Sequence, residues 1–207
     1  SAVTEPFRIA GRPVDRDQAA KLLAQVGLAA EFGACYPHQL SGGQARRVGV
    51  ARALALEPKF IIADEPTAGL DVSVQGEVLN LLADLKARLG LSFLMITHNL
   101  AMVRHAADRI AVMYLGRLVE VGPSRQVFAG ALHPYSQSLI AAEPRPDPRR
   151  RRADLAIKGE IPSILNRPSG CAFSTRCPRA TARCREEDPQ LQDFGNGHAA
   201  RCHFAGP

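Results

Sequence analysis

No stretch of the 207 residues approaches the roughly 20 consecutive apolar residues that cross a bilayer. Nor does Ser1 to Gly11 carry the charged and apolar zones of a signal peptide. Both absences point to a soluble, unexported chain. Tryptophan is missing, tyrosine and methionine occur three times each, and no internal repeat is visible, which excludes a repeat array. Apolar residues at 46% and charged residues at 22% exclude collagen, coiled coil and wholesale disorder. At about 150 residues per domain, the length allows one lobe with a core of its own and an appendage. The first residue is Ser, and Val3 to Gly11 opens in the middle of a pattern, so a segment of a longer chain is expected.

Lysine is scarce. The only four are Lys21, Lys59, Lys86 and Lys158, none of them after Gly or before Ser or Thr. The phosphate-cradling loop G-x-x-x-x-G-K-[ST] is therefore absent from these residues. Arginine supplies the other 22 of 26 positive charges, which against 20 Asp and Glu leave a formal net charge of +6, and four of the arginines fall in the tetrad Arg149 to Arg152. A basic run can serve nucleic acid or an anionic membrane surface, but no aromatic residues interleave with this one as single-strand readers require. It reads as a solvated linker, and no nucleic-acid partner is assigned.

Apolar positions between 17 and 28 recur near a 3.6 period and predict a helix ending at Gly27. Ser41 stands where an N-cap belongs, ahead of a helical segment to Leu56. Phe60 to Ala63 is a continuous apolar run closing on Asp64-Glu65-Pro66, the pattern of a buried parallel strand with carboxylates at its carboxyl end. Val78, Leu81, Leu82, Leu85 and Leu89 mark a helix over about 74 to 89, stopped by Gly90. Phe93 to Ile96 is the next strand, ending at Thr97-His98, so strand, helix and strand form a parallel crossover with chemistry at the strand ends. Ile110 to Tyr114 and Arg117 to Val121, joined at Gly116, read as a hairpin.

Two of these places carry chemistry. Asp64 and Glu65 are adjacent, and on an extended chain they point to opposite faces, suiting one to hold Mg²⁺ and the other to orient or deprotonate an attacking water. Ser41-Gly42-Gly43-Gln44 opens a helix, where amide groups and the positive dipole end favour an anion and glycines let a phosphate come close. Each signal alone reads as well as a capped strand end or a capped turn.

Together they resemble a family. Leu40 to Gln44, Ile61 to Thr67, Ala68 to Asp71 and Thr97-His98 are, in order, similar to motifs of the nucleotide-binding subunits of ABC transporters. The resemblance implies that Ser41, Gly42, Gly43 and Gln44 form the signature loop, which contacts ATP held by the opposite subunit. It implies Asp64 as the Walker B carboxylate for Mg²⁺, Glu65 as catalytic base or water-positioning residue, Asp71 as the close of the D-loop and His98 as the switch histidine at the γ-phosphate. The implied fold is α/β, a partial ABC-type P-loop NTPase domain lacking its Walker A portion. Its helical subdomain spans about 12–57 and its parallel-sheet half about 58–143. The glutamine-bearing loop that follows the phosphate loop is not evident either.

The tail narrows the resemblance. His133-Pro134-Tyr135, Gly159 to Ser163 and Pro168 to Phe173 are similar to the C-terminal extension of oligopeptide and dipeptide importer ATPases, shared by nickel and glutathione importers. A Pro/Arg linker is expected at 144–158 and a small Cys-rich module at 159–207. Cys171, Cys177, Cys184 and Cys202 are separated by five, six and 17 residues, unlike a C-x2-C zinc pair or a ferredoxin run. Four thiolates still suit a four-iron cluster, which the resemblance implies for some relatives, or zinc, and reduced thiols or disulfides stay open. His198 and His203 are read as bystanders and Cys35 as a packed or partly exposed thiol.

The implied function is ATP binding and hydrolysis, with Mg²⁺, energising import of peptides, nickel or glutathione. The implied partners are a second ATPase subunit, two permeases and, indirectly, a substrate-binding protein, at the cytoplasmic face of a bacterial inner membrane. Two other classes compete. One is a ribosome- or nucleic-acid-associated ATPase of the same family, and the other a non-catalytic metal or redox module on a degenerate core.

Overall fold

The period that runs from Val78 to Leu85 produces the longest helix, Val72–Leu89, whose Val78, Leu82 and Leu85 are buried. Asp71 caps its start, Oδ1 accepting from the Val74 amide at 3.0 Å. Gly90 ends it in the left-handed region, φ 64°, where glycine carries no Cβ penalty. The computed structural model describes residues 2–143, 157 and 159–206. These fall into two units, one ending at His98 and one beginning at Asn99.

In the first unit a short 3-10 turn, Ala2–Thr4, leads into helices α1 (Glu5–Ile9), α2 (Gln18–Gln25) and α3 (Gly42–Leu54). Strand β1 (Phe60–Asp64), helix α4 (Val72–Leu89) and strand β2 (Ser92–Ile96) complete it. The helix expected to end at Gly27 runs Gln18–Gln25, and Gly27 turns left-handed just beyond it at φ 72°. Val3, Phe7, Leu23, Val26, Ala51, Leu54 and Leu85 form the core, with Ile61 and Phe93 resting on it. A fully buried Leu or Val contributes about 1.5–3 kcal/mol over an exposed one.

Strands β1 and β2 pair in parallel, Ile62 opposite Leu94 and Asp64 opposite Ile96. The expectation of a strand buried on both faces is corrected here. Ile61, Ala63, Phe93 and Met95 are half-buried, while Phe60, Ile62, Leu94 and Ile96 are about half exposed or more. Among the described residues this sheet has two strands, so one of its faces has no covering layer.

The second unit holds α5 (Leu100–Ala106), β3 (Arg109–Tyr114), β4 (Arg117–Pro123), α6 (Ser124–Ala129) and α7 (Pro134–Ala141). It continues through α8 (Ala182–Glu186), β5 (Gln192–Asp193) and β6 (Ala199–Ala200). The expected hairpin is β3 and β4, turning through Leu115 and Gly116, both at positive φ, as a two-residue hairpin turn requires. A tail standing apart as its own module is not what forms. Strands β6 and β5 extend the hairpin in the order β3-β4-β6-β5, and Phe173 packs edge-on to Tyr114 at 5.3 Å between ring centres. So short a tail has no core for a phenylalanine, and it borrows that of the hairpin. The linker expected at 144–158 lies, apart from Ile157, outside the described residues. No helix among the described residues is long and apolar enough to cross a membrane.

Glu120 on β4 is fully buried and accepts three hydrogen bonds, from the amides of Leu132 (2.7 Å) and His133 (3.0 Å) and from His198 Nε2 (2.7 Å). This carboxylate ties β4, the start of α7 and the tail together, since a buried charge stays stable only when its lone pairs are met. His133, also buried, caps α7 with Nδ1 accepting from the Tyr135 amide at 3.0 Å. Burial pushes its pKa down to about 4, Glu120 opposing the shift and Arg179 assisting it. The unfolded ring takes a proton near its ordinary value of about 6.5, which the folded ring refuses until about 4. Stability contributed by neutral His133 is therefore full above pH ~6.5 and falls by on the order of 3 kcal/mol as pH drops to ~4. Urea unfolding at stepped pH should show this decline. His133→Asn, which keeps a cap without titrating, should flatten it, and an unchanged slope in the variant would contradict the assignment.

Candidate functional site

Ser41 has extended backbone, ψ 162°, and its Oγ accepts from the Gln44 amide at 3.3 Å. The Gln44 side chain returns the bond, Oε1 accepting from the Ser41 amide at 2.9 Å. This reciprocal box starts α3 at Gly42 and leaves the Gly42 and Gly43 amides in the first turn, where no helical carbonyl reaches them. Ser41 and Gly42 are exposed, so the predicted anion-facing segment is at the surface.

At the carboxyl end of β1, Asp64 is the last strand residue and exposed. Glu65 follows in the left-handed region, φ 45°, an uncommon conformation for a non-glycine residue. The backbone therefore leaves the extended conformation at Glu65, where one extended stretch through both carboxylates is the expectation from sequence. The Glu65 amide donates to the Ile96 carbonyl at 2.9 Å, which carries the strand pairing past the end of β1. That bond sets Glu65 beside the end of β2, and His98 Nδ1 lies 2.7 Å from Glu65 Oε1. With a carboxylate as acceptor, Nδ1 carries the proton and Nε2 is the ring's second polar atom. His98 is 85% exposed and Glu65 37%, so the pair stands at an open surface.

Residues 65–71 form a tight loop, with the Ala68 amide donating to the Glu65 carbonyl at 3.1 Å and Gly69 at φ 75°. Asp71 is exposed and serves as the N-cap of α4. The sequence held the signal for this role, an Asp just before an apolar-periodic run. The structure thus brings Asp64, Glu65 and His98 to one pair of strand ends, with Asp71 at the far end of the loop that follows.

Cys171, Cys177, Cys184 and Cys202 line one cavity of about 20 Å³ with His133, Phe173, Arg179 and His203. All four are free thiols, and Cys35 is free and exposed. Burial pushes Cys171 up to about 11 and raises Cys177 and Cys202 as well. Among the described residues, however, no group of three or more His, Cys, Asp or Glu is arranged to hold a metal ion. His198 is committed to Glu120, and His203 Nε2 pairs with the Glu187 carbonyl at 3.0 Å. The buried Glu120 was missed in the sequence, where it reads as an ordinary polar position of a hairpin strand.

Residues 3–68 match the ABC transporter family, and residues 119–184 match the oligopeptide/dipeptide transporter C-terminal region. The "Probable peptide ABC transporter ATP-binding protein y4tS" of Sinorhizobium fredii is 49% identical over 208 aligned residues, covering 99% of this chain and 59% of that protein. The chain belongs to the ABC transporter family. The dipeptide transport ATP-binding protein DppF of Escherichia coli is 49% identical over 187 residues, 90% of this chain and 56% of that protein. An ATP-binding cassette of an ABC transporter, solved in its ADP conformation, superposes with a TM-score of 0.55 at 27% identity. It covers 69% of this chain and 61% of its own. The chain thus spans somewhat more than half the length of the curated relatives it matches.

If the reciprocal box sets the start of α3, Ser41→Ala should lower stability by about 1 kcal/mol in urea unfolding, while Ser41→Asp should keep most of it. Equal losses in the two variants would show that the cap is not what Ser41 supplies.

Proposed function

We propose that these residues are the signature and Walker B portion of an ATP-hydrolysing subunit that drives a peptide importer. The observation that carries the reading is the 2.7 Å contact of Glu65 with His98 at the paired ends of two parallel strands, where α/β sheets place their chemistry. Glu65 orients or deprotonates the attacking water, and its bond to His98 Nδ1 holds the ring at the strand ends, where an Nε2–H would donate to the γ-phosphate. Asp64 holds Mg²⁺ directly or through water, and the metal, when bound, neutralises charge developing on the phosphates. Ser41, Gly42, Gly43 and Gln44 turn their first-turn amides to ATP held by a second subunit, and Asp71 closes the loop between the two sites. Peptides as cargo follow from the match at 119–184 and from the relatives' names. Two permeases and a substrate-binding protein complete the assembly at the cytoplasmic face of the inner membrane.

The test is phosphate release by the complete subunit. Glu65→Gln should stop turnover and leave ATP binding in place, while the 207-residue chain alone, without a phosphate cradle, should show negligible release. Steady release by the 207-residue chain, abolished by Glu65→Gln, would overturn the reading.

The same reading gives Cys171, Cys177, Cys184 and Cys202 a soft metal, an iron-sulfur cluster or zinc. Its support is that all four thiols line one cavity, and it requires them to draw together and ionise on binding. Anaerobically purified protein should contain iron or zinc, lost in Cys184→Ser. Absence of both metals would dismiss it.

A further inference from the structure

Glycine at 42 and 43 was read as letting a phosphate approach, and the structure gives a second reason for it. A Cβ on Gly42 would lie 2.8 Å from Leu70 Cδ2, and one on Gly43 would lie 2.8 Å from Val74 Cγ1. Both distances are shorter than side chains tolerate, so Leu70 and Val74 occupy the space that side chains at 42 and 43 would need. One turn further along α3, the Arg46 guanidinium donates to the Ala68 carbonyl at 3.0 Å. The loop is tied in turn to α4, with Gln75 Nε2 donating to the Leu70 carbonyl at 2.9 Å and Asp71 capping the helix.

We propose that Arg46, with Leu70 and Val74 seated on Gly42 and Gly43, locks the start of α3 and the loop 67–71 into one body, making Arg46 a positioning residue for the ATP reaction. The inference rests on the proposed function. There, both segments face the opposite subunit, so their mutual spacing decides whether two sites close together. Three contacts from different residues fix that spacing. Arg46, Leu70 and Val74 are not among the residues that the proposed function sets at nucleotide or metal.

The test has two arms. In the 207-residue chain, Arg46→Met should speed amide exchange at Ala68 and Leu70 about tenfold while amides of β1 stay unchanged. Arg46→Lys, which restores a donor, should recover most of the protection. In the complete subunit, Arg46→Met should lower kcat for ATP about tenfold with KM within about twofold. Gly43→Ala should lower kcat, although alanine is the better helix former, and Gly43→Ala with Val74→Ala should recover it. Unchanged exchange in Arg46→Met, or a Gly43→Ala loss that Val74→Ala leaves untouched, would overturn the inference. If the exchange result holds while the wild-type complete subunit releases no phosphate, the locked body stands and the proposed function falls.

Discussion

The pairing of Phe60–Asp64 with Ser92–Ile96 is the constraint on which the candidate site depends. Parallel strands cannot be joined by a short turn, so the chain must return through α4, and that return carries both carboxyl ends to the same edge. The Glu65 amide then takes the Ile96 carbonyl, which aligns the residues just beyond the two strands. The 2.7 Å approach of His98 to Glu65 follows from this register. A slip of one residue would turn each side chain to the other face and dismantle it.

Elements with strong periodicity and clear stops were legible in the sequence. Helix α4 was expected over about 74 to 89 and runs Val72–Leu89, because Asp71 and Gly90 mark its ends chemically. Ser41 was placed as an N-cap, and the box with Gln44 bears this out. Where burial depends on residues far away in the chain, the sequence said less. Phe60 to Ala63 looks like a doubly buried strand, yet Ile62 is 62% exposed, since composition cannot tell which layers are present to cover a face.

The tail shows the same limit from the other side. Its short strands β5 and β6 have no pattern of their own and form only because the edge of β4 offers free ladder positions. Glu120, three hydrogen bonds deep, is invisible until that tail brings His198 to it. The four cysteines were foreseen as a set, and they do line one cavity. Of the candidate site, the residue types and their order were readable. The left-handed turn at Glu65 and the seating of Leu70 and Val74 on two glycines required coordinates.

On the proposed function, Asp64, Glu65 and His98 form the hydrolytic side of an ATP site. A structure of the complete subunit with MgATP, trapped by Glu65→Gln, tests it most directly. Asp64 is then expected in the metal's coordination shell, directly or through one water, with position 65 and His98 both beside the γ-phosphate. Nucleotide bound with its phosphates away from the ends of β1 and β2 would contradict it.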